Sequence, residues 1–295
     1  MMSIDTIFVA ASGGSASEGA ITLAARLARR FEAHLEVFHA HADPKEAAMA
    51  LGDGFAAPMA ADLIERATEE ITAAADRAKR QFEAAARQFQ LKIADLPPAF
   101  EPAGGGKAGA TIGWGDETGF APELIARRAR LFDLVILGRS ERVVDRPHTE
   151  VLEQTLLHCS QAILIAPAKA PEALGQCVAV AWNGSAEAAR AVTGALPFLR
   201  EAKRVVILTA GHVEAGEGEE LSQALLWRGI ATEVRPLPSA HGISIGRQLL
   251  TAARAEGADL LVMGGYGRAP WSEMLFGGAT HQVLGSSLLP ILIAH

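Results

Sequence analysis

The chain repeats itself along its length, and this repeat constrains the fold more than any other feature of the sequence. Three segments of the first half return in the same order in the second half: Val9–Ser15 resembles Val180–Ser185, Phe132–Gly138 resembles Ala258–Gly264, and Ile163–Ala166 is identical to Ile291–Ala294. Repeats that keep their order over more than a hundred residues are typical of a duplicated domain. The sequence therefore predicts two copies of one domain, spanning residues 1–168 and 176–295.

The first copy is longer than the second, because it carries an insert at about 43–109. The distance between matching segments falls from about 171 residues at the first match to 126 at the second. Within the insert, apolar residues of segment 58–91 recur at spacings of three, four and seven, which predicts a long amphipathic helix. A Pro- and Gly-rich stretch, 96–109, ends it. We expect this helix to cover the first domain or a dimer surface.

Short apolar runs alternate with helical patterns in the second copy. Strands are predicted near 177–182, 204–209, 231–235, 259–263 and 290–294, and helices near 186–199, 217–228, 243–256 and 278–286. Val/Ile/Leu runs separated by helices indicate parallel strands that are buried on both faces and joined by right-handed crossovers. The predicted fold is α/β, with two tandem, doubly wound, five-stranded parallel-sheet domains.

A glycine-rich loop follows the fourth predicted strand of the second copy. Gly264, Gly267, Gly277 and Gly278 let the backbone turn and approach a ligand closely, and the last two precede a predicted helix whose free N–H groups attract anions. In sheets of this class, ligands bind beyond the carboxyl ends of the strands. The loop is a candidate phosphate site; the alternative is a set of tight turns without a ligand.

The spacing Gly264-x2-Gly267-x9-Gly277, between an Asp-Leu-Leu-Val-Met strand and a final Ile-Leu-Ile-Ala strand, resembles the nucleotide-binding signature of the universal stress protein family. The resemblance covers nearly the whole chain except the insert. It implies a tandem member with the adenine-nucleotide α-hydrolase-like sandwich, ATP as ligand and Mg²⁺ accompanying it. Carried over by position, the implied nucleotide-binding residues are Asn183, Ala210, Met263, Gly264, Gly267, Gly277, Gly278, Ala279 and Thr280.

The chain departs from the family pattern at several of these positions. Asn183 stands where the family has an Asp that contacts the ribose, and Ala210 is assigned near the adenine. Gly278 replaces a Ser or Thr, and losing one neutral hydrogen bond costs about 0.5–1.5 kcal/mol; Thr280 offers a nearby hydroxyl. In the first copy, Gly138 is followed by arginines instead of glycines, so we expect a degenerate phosphate loop and no nucleotide there.

Composition excludes several other classes of function. A net charge of −7 and the absence of a basic stripe argue against nucleic acid as a partner. No apolar run approaches the roughly 18 residues of a membrane span, and the chain does not start like a secretory signal, which predicts a cytoplasmic protein. Cys159 and Cys177 are expected to be reduced, buried thiols.

Other residues that carry chemistry are assigned to packing. His39 and His41, with Asp43, lie at the end of a predicted strand; a zinc site is conceivable, but ordinary packed histidines are favoured and no metal site is predicted. Asp133 and Asp259, paired by the repeat, are interpreted as caps at strand starts or as surface charges, and not as an acid–base pair. No nucleophile with a base and no Walker loop is found, so no catalytic residue is assigned and the chain is at most a weak ATPase.

Two hypotheses of function remain. In the first, the second domain binds ATP or a related nucleotide, and the protein acts in the stress response as a sensor or regulator of an unidentified protein partner. In the second, the chain is a dimeric scaffold without nucleotide, or binds another small anion. An enzyme of the wider adenine-nucleotide α-hydrolase type would need a catalytic group that is not evident. The apolar strands at 162–166 and 289–294 predict pairing of the two domains edge to edge, and a homodimer is compatible with the same edges.

Overall fold

The structure, a computed structural model, describes residues 3–43, 57–94, 109–139, 146–210, 216–238, 243–265, 283 and 287–295. The chain divides into two compact units. The N-terminal unit contains Ile4–Cys159, and the C-terminal unit contains Ser160–Pro167 and Pro171–His295. No helix in the described ranges is long and apolar enough to cross a membrane.

The N-terminal unit is a parallel sheet of five strands with helices between them. Its elements are β1 (Thr6–Ala10), α1 (Ser15–Phe31), β2 (His34–His41), α2 (Ala57–Gln88), β3 (Lys92–Ile93), β4 (Thr111–Thr118), α3 (Ala121–Ala129), β5 (Leu134–Gly138) and α4 (Arg146–His158). The strand order is β3-β4-β2-β1-β5, and every pairing is parallel. The predicted helix of the insert is confirmed as α2, which has Ala78, Phe82 and Ala85 on its buried face.

The C-terminal unit repeats this plan without the insert. Its elements are β6 (Ile163–Ala166), β7 (Cys177–Trp182), α5 (Ala186–Glu201), β8 (Arg204–Thr209), α6 (Glu217–Leu226), β9 (Glu233–Pro236), α7 (Ile245–Ala255), β10 (Leu260–Gly264) and β11 (Ile291–Ala294). The predicted boundaries of β7–β11 and α5–α7 are correct to within two residues. The predicted helix at 278–286 lies outside the described residues except for residue 283, which is helical. The doubly wound α/β fold is confirmed.

The strand that ends the first repeat joins the sheet of the C-terminal unit. β6 pairs antiparallel with β11, with Leu164 opposite Leu292, and the order in this unit is β6-β11-β10-β7-β8-β9. The expected pairing of the two repeated strands is confirmed. All four residues of both strands are buried, so their pairing removes two apolar edges from water.

Two aspartates related by the repeat fasten the first strand of each unit. Asp133 accepts hydrogen bonds from the backbone N–H groups of Asp5 and Thr6 at the start of β1, and Asp259 accepts them from Gly175, Gln176 and Cys177 at the start of β7. Their interpretation as strand caps is confirmed. Neither Cys159 nor Cys177 forms a disulfide; Cys159 is buried as expected, whereas Cys177 is only half-buried, and burial raises the pKa of the Cys177 thiol.

Candidate functional site

The candidate site lies where the strand order of the C-terminal unit reverses. From β7 the chain continues to β8 and β9 on one side, whereas β10 and β11 lie on the other. β7 and β10 are parallel neighbours, with Ala181 opposite Met263. Their carboxyl ends therefore bring the loop after Trp182 next to Gly264, at the kind of crevice in which doubly wound sheets bind ligands.

The loop between β7 and α5 is shaped by three consecutive residues. The Ser185 N–H donates to Asn183 Oδ1 over 3.2 Å, and the Ser185 hydroxyl oxygen accepts from the Ala188 N–H over 3.1 Å as the N-cap of α5. Gly184 between them has φ +70°, a conformation that glycine adopts without strain. The acceptor oxygen of Asn183 is therefore engaged within its own loop.

Gly264 permits a close approach of the helix start to the strand end. A Cβ at this position would lie 2.5 Å from the Ala188 nitrogen and 2.8 Å from the Glu187 carbonyl carbon. Gly138 has the same relation to the start of α1, where a Cβ would collide with the Ala16 backbone. Packing alone thus accounts for this glycine in both repeats, whether or not a ligand is bound.

The structure brings some of the other sequence-assigned residues to this edge. Asn183 is exposed, Met263 is buried in β10, and Ala210 is half-buried directly after β8. Gly267, Gly277, Gly278, Ala279 and Thr280 lie outside the described residues. The described part of the site is therefore the floor formed by the ends of β7, β8 and β10, together with the start of α5.

Two carboxylates border this floor. Glu187, in the first turn of α5, forms an ion pair of 3.2 Å with Arg190. The hydrogen bond from its own backbone N–H, with contributions from the Ser185 hydroxyl and Arg190, lowers the pKa of Glu187. Glu217, the first residue of α6, is the second, and its Oε2 would lie 2.8 Å from a Cβ at Gly184.

Glu217 is a residue that the sequence interpretation missed. Its Oε2 is buried and has no hydrogen-bond partner among the described residues. The indole N–H of Trp182, directly before Asn183, is buried and unpartnered in the same way. A run of acidic residues at a helix start usually reflects the helix dipole, and no local pattern signals that one of them reaches a loop more than thirty residues earlier.

The equivalent edge of the N-terminal unit is covered by α2. Gly13, with φ +76°, is buried against the backbone of α2 at Ala74. Arg77 Nε donates to the Gly13 carbonyl oxygen over 3.2 Å, and the Gln81 side-chain amide donates to the Gly14 carbonyl oxygen over 3.1 Å. The insert thus covers Gly13, whose counterpart Gly184 is exposed in the C-terminal unit.

An aromatic and histidine cluster extends this cover along the ends of β2 and β4. His39 Nδ1 lies 2.6 Å from the Ala11 carbonyl oxygen and its ring stacks at 6.2 Å on Trp114, while His41 Nε2 lies 3.1 Å from an oxygen of Asp116. Burial lowers the pKa of His39. Lys79 of α2 lies 4.6 Å above the Trp114 ring. Among the described residues, no group of three or more His, Cys, Asp or Glu side chains could hold a metal ion.

Arg139 follows Gly138 at the end of β5. Its guanidinium is half-buried, its Nη1 has no hydrogen-bond partner among the described residues, and burial lowers its pKa. In the C-terminal unit the same position is Gly265, whose N–H donates to the Ala294 carbonyl oxygen over 2.8 Å. The two repeats thus differ immediately after the shared glycine.

Comparison with known proteins supports the resemblance in sequence and in fold. The model of the universal stress protein family matches residues 239–295, which contain the whole glycine pattern. No curated protein sequence matches the chain.

Solved structures of similar fold align with almost the entire chain. A universal stress protein from Archaeoglobus fulgidus DSM 4304 is 14% identical, with 98% of this chain and 96% of that chain covered and a TM-score of 0.67. A proposed universal stress protein from Pseudomonas aeruginosa UCBPP-PA14 is 13% identical, with 99% and 93% covered and a TM-score of 0.58. A functionally unknown protein from Pseudomonas aeruginosa PAO1 is 14% identical, with 99% and 92% covered and a TM-score of 0.54.

At such identities the structural likeness establishes the fold, and the family model adds sequence evidence for the segment that carries the glycine loop. The resemblance predicted from the sequence is confirmed: residues 239–295 match the universal stress protein family model, and the described parts of both units have the fold seen in solved universal stress proteins.

Proposed function

We propose that the C-terminal unit binds ATP or a related adenine nucleotide, and that the N-terminal unit does not. The observation that carries the proposal is the contrast between two equivalent glycines: Gly184 is exposed at the strand-order reversal, whereas Gly13 is buried under α2. The matching glycine pattern of the family lies in the same unit, after Gly264. One site per chain follows.

The described floor suits the sugar and base of a nucleotide better than its phosphates. Glu187 and Glu217 place negative charge near Asn183, and like charges repel in a partly dehydrated crevice. The phosphates are assigned to the backbone N–H groups of the loop from Gly267 to Thr280, with Mg²⁺ offsetting their charge. Ala210, at the end of β8, is assigned to the base.

Calorimetric titration of the full-length protein with Mg²⁺ and ATP tests this proposal. We expect saturable binding with one nucleotide per chain. Because Gly278 replaces a hydroxyl residue, the affinity should be up to about tenfold weaker than that of a complete motif. A Gly277→Val variant, which adds a branched side chain to the loop, should bind at least about tenfold more weakly while its thermal unfolding midpoint stays within a few degrees of the wild type.

A matched control lies in the other unit. Gly14 has open space where a Cβ would stand, with only Ser12 Oγ within 4 Å at 3.6 Å, so Gly14→Ala should leave ATP binding unchanged. A stoichiometry of two nucleotides per chain would contradict the assignment of the N-terminal unit. No binding at millimolar ATP, and no adenine nucleotide detected by mass spectrometry in the purified protein, would favour the dimeric scaffold instead.

We also propose that nucleotide binding serves regulation and not turnover, in a cytoplasmic protein that signals to a protein partner and is at most a weak ATPase. Light scattering with and without ATP tests whether the chain forms a homodimer and whether the nucleotide changes that association. Phosphate release faster than a few turnovers per hour would contradict the regulatory assignment.

A further inference from the structure

Glu217 presents a buried carboxylate oxygen to the loop that borders the candidate site. It is the first residue of α6, which follows β8, and its Oε2 would lie 2.8 Å and its Oε1 3.0 Å from a Cβ at Gly184. Oε2 is buried and has no hydrogen-bond partner among the described residues. A buried carboxylate oxygen without a donor is costly, and a bound ligand or water that donates a hydrogen bond would remove this cost.

The position of this carboxylate complements a change in the sequence of the same loop. Resemblance to the family places a ribose-contacting Asp at position 183, where this chain has Asn183. The Asn183 oxygen already accepts from the Ser185 N–H over 3.2 Å, so it is only partly available to a ligand. The neighbouring Gly184 has no side chain, which leaves room for a carboxylate from another element to lie against the loop.

We propose that Glu217 supplies the carboxylate that position 183 lacks, accepting a hydrogen bond from a ribose hydroxyl and thereby selecting ribonucleotides over deoxyribonucleotides. This inference rests on the proposed nucleotide site and names the part of the ligand that the described residues recognise. A hydroxyl both donates and accepts, so it can satisfy an acceptor such as Glu217 Oε2 and also accept from a nearby donor. The buried, unpartnered N–H of Trp182 is a donor at the same end of β7.

Glu219 and Glu220 offer controls that distinguish a hydrogen bond from Glu217 to the ligand from a general effect of negative charge at the start of α6. Glu217, Glu219 and Glu220 all lie in the first turn of α6, where a carboxylate interacts favourably with the helix dipole. Glu219 and Glu220 are exposed, whereas Glu217 is half-buried against Gly184. A Glu219→Gln variant therefore removes the same charge from the same turn without touching the loop.

The test compares the affinities of ATP, 2′-deoxy-ATP and 3′-deoxy-ATP for the full-length wild type and for Glu217→Gln, Glu217→Ala and Glu219→Gln variants. Removing a negative charge raises the affinity for every nucleotide to a similar extent, so the informative quantity is the ratio between ATP and its deoxy analogues. A hydrogen bond to a charged group corresponds to a preference of about tenfold or more for ATP over at least one analogue.

We expect the wild type and Glu219→Gln to show this preference, Glu217→Gln to reduce it, and Glu217→Ala to abolish it, with unfolding midpoints measured to confirm that each variant is folded. Retention of the wild-type ratio by Glu217→Ala would overturn the role of Glu217, as would a wild type that binds all three nucleotides equally. Both outcomes leave the nucleotide site standing. A wild type that binds none of the three would overturn the proposed function itself and the inference with it.

Discussion

The two aspartates at equivalent positions of the repeat should respond differently to the same substitution. Asp259 uses both carboxylate oxygens: Oδ1 accepts from the Gly175 N–H at 2.8 Å and the Cys177 N–H at 3.3 Å, while Oδ2 accepts from the Gln176 N–H at 2.9 Å. Asp133 uses one, because Oδ2 accepts from the N–H groups of Asp5 and Thr6 and from the Thr6 hydroxyl, at 2.9–3.0 Å.

An asparagine retains one acceptor oxygen and replaces the other with an NH₂ donor. In Asp133→Asn the remaining oxygen can take the position of Oδ2 and keep all three contacts, at an exposed site where loss of charge has a small effect. In Asp259→Asn one orientation of the amide turns its donor toward Gln176, and the other turns it toward Gly175 and Cys177. At least one charge-assisted hydrogen bond of about 1.5–3 kcal/mol is lost, and two donors then face each other.

We therefore expect Asp259→Asn to lower the free energy of unfolding by about 2–3 kcal/mol and Asp133→Asn by less than about 1 kcal/mol. For units of this size the larger loss corresponds to a fall of about 5–10 °C in the unfolding midpoint. Urea and thermal denaturation followed by circular dichroism measure both. Asp259→Ala, which leaves three N–H groups without the carboxylate, should lose more than Asp259→Asn. Equal losses for the two asparagine variants would refute the reasoning.

Two further predictions concern the packing glycines and the pH dependence of stability. Gly264→Ala should reduce the free energy of unfolding by about 1–3 kcal/mol in urea denaturation, since its Cβ would meet the Ala188 backbone at 2.5 Å, whereas Gly14→Ala should cost far less; equal effects would contradict the packing explanation. Burial lowers the pKa of His39, so its contribution to stability is complete above the unfolded pKa of about 6.5 and is lost as the pH falls toward the folded pKa. His39→Gln should therefore lose less stability than the wild type between pH 7.5 and 5.5. Burial also lowers the pKa of His34, but His34 is present in both proteins and does not affect the comparison. Identical pH profiles of unfolding free energy would exclude His39 as a source of the pH dependence.

The fold could be predicted from the sequence because the patterns that indicate its strands and helices are local and occur in both halves of the chain. The apolar runs of β7, β8 and β10 and the periodicity of α2 can each be recognised within one contiguous segment. The repeat supports them, because matching segments occur in the same order in both halves of the chain. Elements with such signals were predicted to within two residues in the C-terminal unit. The pairing of β6 with β11 was also accessible, since two identical apolar strands each need a covered edge.

The candidate site could be predicted from the sequence only in part, because its residues come from separate elements. Asn183 and Gly264 follow strands and carry motif positions, so the sequence placed them at one edge. Glu217 has no motif, and its contact with Gly184 depends on how α6 is set against the loop after β7. Periodicity predicts that a helix begins there, but it does not predict which of three acidic residues in its first turn is buried.

The sequence by itself determined the duplication, the class of fold and the unit that carries the glycine loop, because each of these produces a pattern within a contiguous segment of the sequence. Only the tertiary structure decided that α2 covers the loop after β1, that Gly138 and Gly264 are required by close backbone packing, and that a carboxylate from α6 reaches the loop after β7. These features depend on distances between residues far apart in the chain, which hydrophobic burial and sheet order fix together.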